Sequence, residues 1–343
     1  MEKPIIIKNK RDIPHEAKLI DGFSNSIEEL FFVRNPKYKK GMFEVKNLLK
    51  KFLTSHSIQP LYVYYPWRNQ VVSLPPENIY FELRTARNKN LIPSIVQDKY
   101  RSLVVGIIGL SIGSAVINYL TFTGGSKQMK LADFDNVAIT NLNRMHANVF
   151  DLGQNKTEVA SQRIWEIDPF AELYLYPNGI EDGNIENFIL RKPKLHVFID
   201  AMDSLSLKVK SRMICKANKI PVIMTTSNGD GLILDVERFD IDQNYPIFHN
   251  RLGNIQPDDL KYKNYKEWAR LATKVVGKES LTKELKDSLK ILGKEIASIP
   301  QLASTVDLGG IVLTYALRKI VEDTNSISSG RYCINLKDIF NDK

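Results

Sequence analysis

The sequence predicts an α/β protein: a doubly wound, mostly parallel sheet preceded by a small α+β module. Three observations carry that reading. Short, continuously apolar runs alternate with helical stretches from residue 103 to residue 226, and strands apolar on both faces belong to parallel sheets covered on both sides. A glycine turn, Gly109-Leu110-Ser111-Ile112-Gly113, joins the first of these runs to the first helix. Asp133-Phe134-Asp135 ends the second run, and open parallel sheets bind ligands just outside the carboxyl ends of their strands.

In chain order, 26–33 and 43–55 carry helical periodicity, and 61–65 and 70–74 read as short strands joined by Pro66-Trp67-Arg68-Asn69. Pro75-Pro76 punctuates the chain, and a polar segment over 81–95 leads into a helix near 95–100. The alternating part gives strands at 103–108, 128–132, 173–177, 196–200 and 222–226, with helices at 113–122, 156–168, 185–190 and 206–217. Residues 235–240 suggest an added antiparallel strand, 257–300 is helical and charged, 302–322 is a long apolar helix, and 332–336 is a last strand. The expected division is a small module over 1–80 and a larger domain over 81–343, with a helical insertion near 257–300.

Composition narrows the function classes. The chain of 343 residues is 43% hydrophobic and 25% charged, which suits a globular protein with a sizeable core. It contains no apolar run long enough to cross a bilayer, and its N-terminal stretch lacks the apolar core of a signal peptide. The expectation is therefore a cytoplasmic protein with no membrane partner. Cys215 and Cys333 form no CxxC pair, so no cysteine-built zinc site is expected. The net charge of +9 admits a nucleic-acid partner, but the excess lysines are interleaved with acidic residues, as on a solvated helical face.

The edge residues carry the chemistry. Gly109 and Gly113 permit a tight turn and a helix N-terminus that favours phosphate, although the same pattern also arises where a helix packs closely on a sheet. Asp133 stands where a carboxylate accepts hydrogen bonds from ribose hydroxyls; Asp135 caps or turns the following loop. Asn141, Arg144 and Lys156 supply an amide and two cations, a set suited to phosphoryl or adenylyl transfer, in which the leaving group gains charge. A surface lysine is the plain alternative for Lys156. Asp200 and Asp203 follow another strand, where a carboxylate can hold Mg²⁺ against phosphate oxygens, or Asp203 can cap the helix starting near Ser204. His146, His249, Trp67 and Trp165 read as structural groups, Cys215 as a core side chain, and Cys333 as a structural residue of a late strand.

The stretches LVVGIIGLSIGS, LADFDNVAITNLNRM, DLGQNK, VFIDAMDSLSLK and IPVIMTTSNG together resemble the ThiF/MoeB/HesA superfamily, the adenylating domain shared with ubiquitin-activating enzymes. The resemblance runs from Arg84 to about Asp240 and implies a Rossmann-like sheet binding ATP and Mg²⁺. It implies roles for Gly109, Ser111 and Gly113 in the phosphate turn, Asp133 on the ribose, Asn141 and Arg144 from the family's NLxR, Lys156 on the phosphates, and Asp203 at the metal. Arg84-Thr85-Ala86-Arg87 is similar to the family's RYxRQ, which implies that Arg87 reaches the neighbouring protomer's site in a homodimer. GLILDVERFDIDQNYPIFH and SGRYCINL resemble the ThiF-like module of ThiF–nitroreductase fusions.

Four departures qualify the resemblance: the glycine turn is one residue short with Ser111 replacing a glycine, Met145 stands where the family usually has Gln, the paired CxxC zinc motif is missing, and no relay cysteine lies between Cys215 and Cys333. The expected activity is ATP-dependent adenylylation of a carboxylate on a peptide, protein or small molecule. The alternatives are a tRNA-modifying dehydratase or cyclase of the same superfamily, and a non-catalytic nucleotide-binding protein.

Overall fold

A computed structural model describes residues 2–55, 57–260 and 264–340, and divides into two compact units: Met1–Ser94 with Asp168–Phe170, and Ile95–Ile167 with Ala171–Lys343. Part of the charged stretch over 257–300, residues 261–263, lies outside the described residues.

The first unit contains β1 (Ile5–Ile7), β2 (Lys18–Asp21), α1 (Phe23–Arg34), α2 (Val45–Ser55), β3 (Leu61–Tyr65), β4 (Gln70–Leu74) and α3 (Glu77–Arg84). Its sheet runs β1-β3-β4-β2, with β2 parallel to β4 and the other pairs antiparallel. Alternation in β4 buries Val71 on one face, and α1 covers the sheet with Ile27, Leu30 and Phe31. The short strands β1 and β2 leave no sequence signal because they are edge strands with mostly exposed side chains. Helix α3 joins this unit, so the divide falls after Ser94 where the sequence suggested residue 80. Arg34 grips Glu82 through two hydrogen bonds (3.1 and 2.8 Å), and Arg84 pairs with Asp168 at 2.9 Å, drawing that short segment in.

Helix α4 (Ser94–Arg101), all but its first residue, opens the second unit, which continues through β5 (Val104–Ile108), α5 (Gly113–Phe122), β6 (Gln128–Ala132), α6 (Lys156–Ile167), β7 (Glu172–Tyr176), α7 (Ile185–Leu190), β8 (Val197–Asp200), α8 (Leu205–Ala217), β9 (Val222–Asn228) and β10 (Gly231–Glu237). There follow α9 (Tyr265–Val276), α10 (Lys283–Ile291), α11 (Ala303–Glu322), β11 (Gly330–Asn335) and α12 (Lys337–Phe340). The sheet order is β11-β10-β9-β8-β5-β6-β7; β7 through β9 are parallel, and β10 and β11 are antiparallel additions. The chain winds outward from β5 through β6 to β7, then returns to the other flank of β5 with β8. That reversal opens a crevice at the carboxyl ends of β5, β6 and β8.

Every residue of β5 and β8 is buried, as their continuous apolar character requires. Helix α11 lies against α5 closely enough that a Cβ on Gly310 would meet the Ala115 backbone at 2.8 Å. Strand β10 starts four residues before the expected 235, because Asn228-Gly229-Asp230-Gly231 forms a hairpin turn with Gly229 at φ +66°. Among the described residues, no helix is long and apolar enough to cross a membrane.

Candidate nucleotide site

The turn after β5 fixes the geometry of the crevice. Gly109 has φ +91°, and a Cβ there would sit 2.2 Å from the Ala201 carbonyl oxygen, so the end of β5 must approach the end of β8 without a side chain. On the opposite flank, Leu110 N donates to Asp133 Oδ2 at 2.7 Å. One turn is thus clamped between the ends of β6 and β8, and α5 starts from it at Gly113.

Asp133 is held from three sides. Besides Leu110, Asp135 N donates to its Oδ1 at 2.9 Å, and Lys156 Nζ lies 3.9 Å from its Oδ2. Burial raises the carboxyl above its ordinary pKa, while Lys156 and the two backbone N–H groups pull against that rise. Lys156 makes its closer pair with Asp135 Oδ2, at 2.7 Å. The lysine is 5% exposed, which overturns the surface-lysine alternative. Its position comes from the loop before α6: Lys156 N donates to Asp135 O, Val137 N to Gln154 O, and Gly153 N to Val137 O. Asn155 ties the loop down by donating to the carbonyls of Asp133, Asp135 and Pro177 (3.2 to 3.4 Å) while accepting from Thr157 N. Asn155 was not singled out in the sequence, although an Asn directly before a helix is an ordinary capping signal.

The loop after β6 carries Asn141 and Arg144. Asn141 Oδ1 accepts from Ala138 N at 3.0 Å and its carbonyl accepts from Arg144 N and Met145 N, so it shapes the loop. Arg144 Nη1 donates to Thr140 O and Asn143 Oδ1. Burial lowers the Arg144 pKa, with the charge of Asp203 acting in the other direction. Ser111 Oγ and Arg144 Nε are both shielded from solvent and make no hydrogen bond. Buried polar atoms are normally satisfied, so these two atoms, with the glycine turn and Lys156, fit a phosphate-bearing ligand.

At the end of β8, Asp203 is not the cap of α8; Ser204 takes that place, accepting from Leu207 N at 3.5 Å. The Asp203 carbonyl instead accepts the Trp268 indole N–H at 3.0 Å. Asp200 is unsuited to a metal, since it is fully buried and bound by Lys208 (2.8 Å) and Arg212 (2.5 Å). Burial raises its pKa, but the two cations outweigh that effect and leave it lowered. Arg212 also holds Glu237 at 2.6 Å and lies 3.9 Å from the Phe248 ring centroid. Among the described residues no group of three or more His, Cys, Asp or Glu is arranged as a metal site. A Mg²⁺ ion bridging nucleotide phosphates needs only one or two protein carboxylates, so Asp203 remains compatible with that role.

Beside Asp203 and Arg144, a cavity of about 370 Å³ opens between the ends of β8 and β9 and the helices α9 and α10. Asn228 secures that roof by donating to Ser280 O and accepting from Thr282 N (2.8 and 2.9 Å). Arg331, paired with Asp235, also caps α9 by donating to the Val275 and Val276 carbonyls. His146 pairs with Asp307 and His249 lies between Asp235 and Tyr245, which gives both a structural account. Trp165 is buried and donates to Ala171 O, as expected of a packing residue. Burial drives the Cys215 thiol pKa up, whereas Cys333 stands exposed on the late strand β11. Arg87 is exposed in the 3-10 turn Ala86–Asn88 of the first unit.

The ThiF family sequence model matches residues 85–296. An uncharacterized Mycobacterium tuberculosis protein, MT1398, is 34% identical over 259 residues, covering 76% of this chain and 36% of that protein. The tRNA threonylcarbamoyladenosine dehydratase of Escherichia coli is 33% identical over 127 residues, 37% of this chain and 46% of the enzyme. The chain therefore spans less than half the length of either relative. The crystal structure of E. coli MccB with ATP shares the fold at a TM-score of 0.50 and 16% identity, covering 91% of this chain and 86% of that one. With a glycine turn, a strand-end aspartate and a buried lysine at the switch point, and a family match spanning most of the sequence, the chain belongs to the ThiF family.

Proposed function

We propose that the protein binds ATP with Mg²⁺ and transfers its adenylyl group to a carboxylate, releasing pyrophosphate. The observation that carries the proposal is the buried Lys156, held between Asp133 and Asp135 beside a turn where Ser111 Oγ and Arg144 Nε have no protein partner. In this reading Asp133 accepts hydrogen bonds from the ribose, and Lys156 and Arg144 neutralise the phosphates. Mg²⁺ held by Asp203 would offset negative charge on the phosphate oxygens. An acceptor carboxylate oxygen forms a bond to the α-phosphorus, and the bond from that phosphorus to the bridging oxygen breaks. Pyrophosphate leaves with the electron pair. The nucleophile is already ionised, so no general base is required; rate comes from positioning and from cations placed where charge develops.

The proposal includes a homodimer in which Arg87 of one protomer completes the site of the other. Arg87→Ala and Lys156→Ala would each be inactive, and a mixture forming heterodimers would regain activity. Absence of rescue in verified mixed dimers discards the role in trans. A peptide or protein acceptor is favoured over a small metabolite by the appended first unit. The tRNA dehydratase reading draws on the E. coli relative and on the net charge of +9; it requires RNA binding that weakens steeply with salt. ATP–pyrophosphate exchange stimulated by a carboxylate acceptor is the direct test. Nucleotide binding without exchange for any acceptor class would leave the non-catalytic alternative.

A further inference from the structure

We infer that the cavity beside Asp203 is the acceptor pocket and that it takes a carboxylate borne on a bulky apolar group. The inference rests on the adenylylation reading for the direction of attack, and its chemistry comes from the walls. With the ribose at Asp133, past the end of β6, the α-phosphate stands over the glycine turn, and Asp203 lies past the end of β8. Those strands flank β5, so their ends are separated by about 10 Å, two inter-strand spacings. The cavity lies on the β8–β9 side, away from the ribose, and an acceptor held there reaches the α-phosphorus in line when the pyrophosphate is turned away from the cavity.

The walls are largely apolar: Leu205, Met224, Ala272, Val276, Leu285 and Ile299 are among them. Charge is confined to the end nearest the turn. Of the two cations on the lining, Lys208 is engaged by Asp200 at 2.8 Å; Arg144 donates through Nη1 to Thr140 O and Asn143 Oδ1 but keeps an unpartnered Nε, which the acceptor carboxylate would share with the α-phosphate it attacks. A carboxylate at Arg144 with an apolar body beneath α9 and α10 satisfies both ends. The volume of about 370 Å³ is that of a small-ligand site. A glycine-like terminus would leave most of it unfilled, and a nucleoside would set polar base edges against walls that are mostly apolar. The same chemistry is offered by the C-terminus of a peptide ending in Leu or Phe and by a free apolar acid such as octanoate.

Calorimetry on the full chain with a Phe-ended peptide, a Gly-ended peptide, octanoate and a carboxylated nucleoside tests this, together with Trp268 emission as a reporter from the cavity wall. The expected result is saturable binding of the Phe-ended peptide or octanoate, at least tenfold tighter than the other two, with an emission change lost in Trp268→Phe. Ala272→Phe, which fills the space, or the milder Leu289→Asn should weaken that binding at least tenfold. Preference for the peptide over octanoate identifies the source as a polypeptide; the reverse identifies a free acid. Equal affinity for the Gly-ended peptide, preference for the nucleoside, or no binding of either apolar carboxylate overturns the inference. Magnesium-ATP binding by the wild type is read separately: its failure removes the adenylylation reading even where the apolar carboxylate binds.

Discussion

Two clusters of charge stand at the ends of strands on either side of β5, and they are built to opposite specifications. Past β8, Asp200, Lys208, Arg212 and Glu237 close on one another: Arg212 and Asp200 are wholly buried, and each carboxylate meets a guanidinium nitrogen at 2.6 Å or less. Past β6, Asp133, Asp135 and Lys156 form an open set. Asp135 remains half exposed, and Ser111 Oγ and Arg144 Nε nearby find no partner. A satisfied network has nothing left to offer a ligand; an unsatisfied one is stable only while it is small, and it becomes useful when something fills it. Strand-end position alone therefore does not mark a functional carboxylate. Accounting for its partners does.

The largest effect that tests the contrast is on stability. Arg212→Met leaves Asp200 and Glu237 buried without their shared cation, and should cost about 3–5 kcal/mol in denaturant unfolding. A loss below about 1 kcal/mol would mean that the closed cluster is not structural. Lys156→Ala costs stability too, since Asp133 loses its cation, but Asp133 keeps two backbone donors and Asp135 is half exposed. The variant should therefore keep a cooperative fold while weakening magnesium-ATP binding at least a hundredfold; unfolding of this variant would contradict the contrast.

A third effect is a pH dependence carried by Asp133. Its folded pKa lies above the ordinary carboxylate value, so nucleotide affinity should fall on acidification before an ordinary carboxylate would protonate. The stability contribution has the opposite sign: with the folded value raised, it is fully present below the unfolded pKa and lost as pH rises through the folded one. Asp133→Asn should flatten both profiles while weakening ATP binding, measured by calorimetry and thermal melts across pH 4–7. A steeper affinity profile in the variant would assign the titration elsewhere. The smallest expected change is Cys333→Ser, an exposed strand position, which should alter stability by no more than about 0.5 kcal/mol and leave exchange activity unchanged. Loss of activity there would point to covalent sulfur chemistry.

Much of this arrangement was legible because it is local. The runs at β5, β6 and β8 are continuously apolar, the glycines punctuate them, and Asp133 and Lys156 lie at boundaries that periodicity alone locates. The closed cluster was not legible, since Asp200, Arg212 and Glu237 come from three separate elements and meet only once β8, α8 and β10 pack. Asp203 follows the end of β8, but Ser204, which the sequence offers no less plainly, takes the cap of α8. The cavity roof escaped notice for a related reason. Helices α9 and α10 carry charged residues throughout, and their apolar faces have a purpose only when Asn228 and Arg331 fix them over the sheet.

The claim on which the rest depends is that the open cluster is a nucleotide site. Titration of the wild type and Lys156→Ala with ATP and magnesium in the calorimeter tests it most directly. Saturable binding by the wild type that disappears in a variant that still melts cooperatively is the predicted result; no heat of binding, or equal affinity in the two proteins, would contradict it.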